Sequence, residues 1–299
     1  MQRNFRTEFP WQTRDRWTMA SRLWTTATDT DQPLVVVVHG LGEHSGRYQR
    51  FAERLLDLGH NVAVPDLRGH GLSQGGRGDT PRFQSLVDDI GDYLQALRDA
   101  SLIRQSVLLV GHSMGGAIAT KFAIQSPDQL SGLFLISPYY REAFQPKWWR
   151  LLAGQVFYYL YPSFSLNVGL NLEHLAKDPE VRRSIQQDEL SHQRLSARWA
   201  MEALEIANRL PYLRQPLPIP TAVAHGEHDQ VTHPAASRFF AEHQNQMRQE
   251  NDQCPLVRFE LIADGLHQIH NDSHTRDQVF RIFEDLRVRA TRDGCLPAA

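Results

Sequence analysis

Cysteine is nearly absent. Only Cys254 and Cys295 occur in 299 residues. That is too few for a disulfide framework, so two unpaired thiols in a reducing compartment are expected. An excess of one charge is also missing: 32 Lys+Arg stand against 34 Asp+Glu, for a formal net charge of −2. This balance gives no electrostatic ground for nucleic acid or an anionic membrane as the main partner. No apolar segment of signal-peptide type lies between Met1 and Trp11, so no secretory leader is expected there. The longest greasy stretch, Leu151 to Tyr161, is broken by Gly154 and Gln155. It falls far short of the roughly 20 residues that cross a bilayer. A soluble, cytoplasmic protein is expected. There is no internal repeat and no low-complexity segment. The pairs His225/His228 and His267/His270 fit no H-E-x-x-H pattern and have no cysteine beside them, so no metal site is expected. Gly75-Gly76-Arg77-Gly78 lacks a Gly-Lys-Ser/Thr ending and reads as a surface turn, not a phosphate loop.

What is present is an alternation of strand and helix, the pattern of an α/β fold with a mostly parallel sheet covered on both faces. Leu34 to Val38 is a continuous apolar run, as a strand buried on both sides requires. Tyr48, Phe51, Ala52, Leu55 and Leu56 then recur at helical spacing up to Gly59. Asn61 to Val64 reads as a short strand. Thr80-Pro81 reads as the cap and first turn of a helix with Phe83, Leu86, Val87, Ile90, Leu94 and Leu97 on one face. Val107 to Val110 and Gly132 to Ile136 are further strands. From about residue 138 to 215 the alternation breaks into helical, irregular, aromatic-rich text. It resumes with strands at Thr221 to Ala224 and Leu256 to Ile262 and helices at Pro234 to Gln249 and Ser273 to Arg289. The expected organisation is a core made of 1–137 and 216–299, with a helical cap, 138–215, inserted over the sheet's carboxyl edge, where ligands bind in open α/β sheets. One or two antiparallel edge strands are expected before Asp31.

Gly111-His112-Ser113-Met114-Gly115 fits G-x-S-x-G between a buried strand and a helix. A sharp turn in that context lifts a serine hydroxyl clear of the sheet and aims helix N–H groups at it. Without it, the motif would be a glycine-rich turn whose serine merely caps the helix. A serine nucleophile needs a base, and the expected chain order is Ser, then Asp or Glu, then His. Ala263-Asp264-Gly265-Leu266-His267 follows the last strand, making His267 the candidate base, with His270 as its rival. His225-Gly226-Glu227-His228-Asp229 follows the preceding strand, making Asp229 the candidate acid, with Glu227 as its rival and an Asx turn as the plain alternative. Acyl transfer also needs N–H donors for a developing oxyanion. The candidates are the backbone N–H groups of Met114 and of Leu41, in the loop His39-Gly40-Leu41-Gly42.

Three blocks carry a resemblance: His39-Gly40-Leu41-Gly42-Glu43-His44-Ser45-Gly46-Arg47-Tyr48, Asp66-Leu67-Arg68-Gly69-His70-Gly71-Leu72-Ser73, and Gly111-His112-Ser113-Met114-Gly115-Gly116. Together they resemble the monoacylglycerol lipase and lysophospholipase branch of the α/β-hydrolases, and the similarity spans most of the chain. The resemblance implies an α/β-hydrolase fold, a lipid monoester as substrate, a mobile cap, a triad of Ser113, Asp229 and His267, and no cofactor. It further implies that Glu43, Arg47 and His112 lie at the polar end of the pocket, beside the leaving alcohol. The plain alternative is that Glu43 and Arg47 pair with each other or cap the next helix. The cap follows no family pattern, so acyl-chain length and headgroup are not implied. The histidine loop, Gly265-Leu266-His267-Gln268-Ile269-His270-Asn271-Asp272, departs from a family in which a glutamate often soon follows the histidine.

Competing functions keep parts of this reading. An aminopeptidase or amide hydrolase would share the triad and need cap carboxylates such as Glu142, Glu173, Asp178 or Glu189. A non-catalytic hydrolase-fold binding protein typically lacks a triad member, and here all three are present. Epoxide hydrolases and dehalogenases place aspartate where this chain has Ser113. Lys147-Trp148-Trp149-Arg150 reads either as part of a cap helix lining an acyl tunnel or as an interfacial anchor, a peripheral membrane contact. The sequence does not determine an oligomeric state.

Overall fold

The computed structural model describes residues 7–25, 32–144 and 148–290, apart from the side chain of Arg150. The chain opens with β1 (Thr7–Glu8), β2 (Trp11–Gln12), β3 (Thr18–Met19) and β4 (Ser21–Trp24). Next come β5 (Val35–Val38), α1 (Gln49–Asp57), β6 (Val62–Pro65), α2 (Phe83–Asp99), β7 (Val107–His112), α3 (Met114–Gln125) and β8 (Leu130–Ile136). An inserted segment follows, with α4 (Trp148–Leu160), β9 (Ser165–Asn167), α5 (Pro179–Gln186), β10 (Arg194–Ser196) and α6 (Ala197–Arg209). The chain returns to the main body with β11 (Thr221–Gly226), α7 (Pro234–Gln249), β12 (Val257–Ile262) and α8 (Arg276–Ala290).

Eight strands form one sheet in the order β1-β4-β6-β5-β7-β8-β11-β12. The strands from β6 to β12 run parallel to their neighbours, while β1 and β4 form an antiparallel edge. The apolar runs alternate between two cores. Val36, Val38, Leu109, Leu133 and Val223 pack with α2, α3 and α7 through Leu86, Ile90, Ile118 and Phe240. Val35, Val37, Leu108, Val110, Phe134 and Ala224 pack with α1 and α8 through Phe51, Leu55, Phe283 and Leu286. Each valine of β5 is fully buried, worth roughly 1.5–3 kcal/mol relative to exposure. A strand enclosed on both sides has no polar face, which is why β5 reads as an unbroken apolar run.

Several expectations need correction. Thr80-Pro81 does not open α2. That helix begins at Phe83, and no side chain of its own N-cap residue, Arg82, caps it. The Phe83 N–H instead donates to Glu202 Oε2 at 2.6 Å, so a carboxylate from α6, 119 positions away, supplies the cap. The last helix begins at Arg276, three residues later than expected. The inserted segment is not purely helical, because β9 and β10 pair antiparallel. Cys254 is disulfide-bonded and not a free thiol; Cys295 lies outside the described residues.

The inserted segment is tied to the sheet's carboxyl edge. His192 N donates to Gly42 O at 3.0 Å and Ser196 N to Gly78 O at 2.8 Å. Arg198 forms a two-pronged pair with Asp79. Gly42 has φ 74°, and a Cβ there would fall 1.7 Å from His192 O, so only glycine allows this contact. Local signals start its helices: Asp178 accepts from Glu180 N ahead of Pro179 in α5, and Ser196 accepts from Trp199 N in α6. No helix among the described residues is long and apolar enough to cross a membrane.

Candidate active site

The turn from β7 into α3 holds Ser113 at φ 54° and ψ −120°. A non-glycine residue pays about 1–3 kcal/mol for such a conformation and adopts it only when its surroundings impose it. Here Ser113 N donates to Ile136 O at 3.0 Å, and Ser113 O accepts from Gly116 N at 2.9 Å and Tyr139 N at 2.8 Å. The helix lies so close to β5 that a Cβ on Gly115 would sit 2.1 Å from Val38 O. Glycine at that position of the motif is thus a steric requirement. Ser113 is half-buried and lines a cavity of about 570 Å³.

His267, in the loop after β12, lines the same cavity and is 3 % exposed. Its Nδ1 lies 2.7 Å from Asp229 Oδ2. Asp229 follows β11 and divides its oxygens between two tasks. Oδ1 accepts from Val231 N at 2.8 Å and Thr232 N at 3.0 Å, while Oδ2 meets His267 and accepts from Thr232 Oγ1 at 2.9 Å. The Asx turn and the carboxylate–imidazole pair therefore coexist. His225 Nε2 stands 3.1 Å from the same Oδ2. Burial works against the Asp229 charge, yet His267 and His225 hold its ionisation well below the usual carboxylate range. Burial pushes the His267 imidazolium down from its ordinary value, with Asp229 opposing. An ionised carboxylate beside a neutral imidazole accepts a hydrogen bond from Nδ1–H and leaves Nε2 as the basic nitrogen.

The rivals lie elsewhere. Glu227 is exposed and accepts from Asp264 N at 3.2 Å. His270 is enclosed by Tyr48, Phe51 and His112, and neither of its ring nitrogens has a hydrogen-bond partner.

Leu41 and Met114 line the cavity together with Ser113 and His267. Met114 is the first residue of α3, so its N–H is among the donors that no intrahelical acceptor satisfies. Leu41 sits in a turn closed by Glu43 N to Gly40 O at 3.3 Å and by Gly40 N to Glu43 Oε2 at 2.9 Å. The His39 imidazole braces that turn, bonding Gly40 O through Nδ1 and Leu67 N through Nε2.

The inserted segment supplies the cavity's apolar wall, with Leu151, Leu172, Ile185, Met201 and Leu204. The other end is polar: Glu43, Arg47, His112, Asp188 and Gln268. Arg47 Nε stands 3.9 Å from Glu43 Oε1 and its Nη1 3.8 Å from Asp188 Oδ2. Glu43 and Arg47 thus pair with each other and line the pocket at once. Among the four cap carboxylates considered above, Glu142 alone lines the cavity, and it accepts from Tyr139 OH at 3.0 Å. Sequence reasoning missed Thr232, Gln268 and Asp188. Gln268 and Asp188 meet partners 225 and 144 positions away, Glu43 and His44, a spacing that no local pattern marks. Among the described residues no group of three or more His, Cys, Asp or Glu is arranged to hold a metal ion.

The model of the family described as serine aminopeptidase, S33, matches residues 29–274. An uncharacterised abhydrolase domain-containing protein of Dictyostelium discoideum is 28% identical over 283 residues, covering 93% of this chain. The chain spans only 28% of that relative's length. A monoglyceride lipase homolog of monkeypox virus is 29% identical over 247 residues, covering 80% of this chain and 83% of its own. Among solved structures, the monoacylglycerol lipase of Paleococcus ferrophilus superposes with a TM-score of 0.76 at 25% identity, covering 95% of this chain and 98% of its own. The fold and these similarities agree: the chain belongs to the serine aminopeptidase S33 family of α/β-hydrolases and is similar to its monoacylglycerol lipases.

Proposed function

We propose that the protein cleaves a lipid monoester, of monoacylglycerol or lysophospholipid type, through an acyl-enzyme on Ser113. The observation that carries this reading is one cavity bordered by Ser113 and by His267, itself paired to Asp229 at 2.7 Å. In the proposed path His267 Nε2 takes the proton as Ser113 Oγ attacks the ester carbonyl. The N–H groups of Leu41 and Met114 stabilise the oxyanion. The imidazolium then passes its proton to the departing alcohol, and water repeats the sequence to release the fatty acid. An apolar wall against a polar end suits a molecule with a greasy chain and a small polar head. Replacement of Ser113 by alanine should lower turnover of long-chain monoesters by about 10⁵–10⁶. Activity retained by that variant on purified protein would refute the mechanism.

The exposed aromatic and aliphatic residues of α4 support peripheral membrane contact as the route by which such a substrate arrives. Glu142 favours a second reading, an aminopeptidase that holds a substrate's amino group. Its bond to Tyr139 engages the carboxylate, and burial raises its ionisation above the ordinary range, which weakens it as a cation ligand. Turnover of aminoacyl anilides without turnover of monoacylglycerols would favour that second reading.

A further inference from the structure

The family resemblance places Glu43 beside the leaving alcohol, but its own surroundings point inward. The residue is 6 % exposed, and both carboxylate oxygens are occupied. Oε2 accepts from Gly40 N at 2.9 Å and Tyr48 OH at 2.7 Å, and meets His112 Nδ1 at 3.1 Å. Oε1 accepts from Gln268 Nε2 at 2.9 Å. Each carboxylate oxygen offers about two acceptor positions: those of Oε2 are filled, and the Oε1 position left beside Gln268 has Arg47 Nε at 3.9 Å. The partners also come from different parts of the site. Gly40 precedes Leu41, His112 precedes Ser113, and Gln268 follows His267.

We infer that Glu43 is a positioning residue that holds the oxyanion turn, the nucleophile turn and the histidine loop in one register. This rests on the serine-hydrolase reading above. Gly40 shows how short the path is. A Cβ on it would stand 3.1 Å from Glu43 Oε2 and 3.2 Å from Ser113 Cβ, so the turn is wedged between the clamp and the nucleophile. The clamp also sets a proton. With a carboxylate on Nδ1, His112 carries its hydrogen there, and its buried Nε2 has no partner. The charge persists despite burial, because His112 and Arg47 hold Glu43 well below the usual carboxylate range. Three loops that meet only through tertiary structure are thus tied by one buried anion, and a displacement of about 1 Å in such a site is enough to slow acyl transfer severely.

The test compares two esters with the same acyl chain, one of glycerol and one of methanol. Glu43→Gln keeps the side chain's size but replaces one acceptor oxygen with a donor. The expected result is a fall in kcat of about 10–100-fold, equal for the two esters, with KM changed by less than about twofold. Counting sites with a fluorophosphonate normalises each preparation to its competent enzyme. A loss confined to the glyceryl ester, or one seen as a rise in KM, would overturn the inference and make Glu43 an alcohol ligand. If Glu43→Gln does not yield folded protein, Gln268→Leu cuts the tie to the histidine loop alone. It should lower kcat about tenfold on both esters, and an unchanged kcat would overturn the clamp. Ser113→Ala on the same esters tests the underlying chemistry separately, since turnover surviving there sinks the hydrolase reading whatever Glu43 does.

Discussion

His267 is enclosed, and burial favours its neutral form even with an anion at 2.7 Å. This has a direct consequence for pH dependence. Only the neutral imidazole accepts the Ser113 proton, and its ionisation lies below the ordinary value of 6.5. We therefore expect kcat/KM to be flat at neutral pH and to fall only as pH drops through a midpoint under 6.5, read with an ester that does not itself ionise. A midpoint above 7 would exclude His267 as the base in this form. Asp229→Asn reverses the partner's hydrogen-bonding sense and should cost about 10⁴ in kcat. Glu227→Gln should leave kcat alone, because that side chain is exposed and bonds only Asp264 N. At this scale the sequence distinguished the candidates by position after a strand. It did not distinguish their burial, which depends on what folds over them.

Elements are held in place here by charges from distant segments. Arg68, in the turn after β6, is 2 % exposed and bonds Asp89 of α2 and Asp15 of the β2–β3 hairpin with two contacts each. Its guanidinium also lies 4.7 Å from the Trp17 ring centroid. Burial raises Asp89 to about 6 despite this pairing, so its carboxylate depends on Arg68 to remain ionised. Arg68→Leu should therefore cost about 3–5 kcal/mol by urea denaturation at neutral pH. Without Arg68 the Asp89 value rises above 6, so the variant's carboxyl takes its proton at higher pH, and the deficit should shrink as pH falls toward 6. A loss under about 1 kcal/mol at pH 7 would show that the cluster contributes little. The Asp66–Ser73 block is motif-like in sequence, but its role as a junction between hairpin, sheet and α2 depends on the two aspartates it meets.

For the molecule as a whole, the unusual feature is the outward side of α4. Trp148 is 74 % exposed, and Leu152, Tyr159 and Leu160 are exposed beside it. Leu151 and Gly154 of the same helix line the cavity. One helix can thus wall the pocket and face a lipid surface, and the two expectations for this segment are compatible. Replacing Trp148 and Trp149 with serine should reduce partitioning onto zwitterionic vesicles severalfold while sparing turnover of a short soluble ester. Unchanged partitioning would remove the membrane proposal and leave the patch as a candidate contact between protein chains.

The chain by itself determined the alternation of strands and helices, because a sheet covered on both faces demands unbroken apolar runs separated by amphipathic ones. It also determined where G-x-S-x-G and the two late loops fall relative to strand ends, since these are local in sequence. Tertiary structure alone decided the rest. The start of α2 depends on Glu202 from α6 and not on Thr80, the antiparallel pair β9–β10 has no strong apolar alternation to announce it, and the Glu43 network joins residues 225 positions apart. Local sequence encodes backbone preference and amphipathic period, whereas hydrogen-bond partners for buried charges are chosen only when the folded chain brings them within about 3 Å.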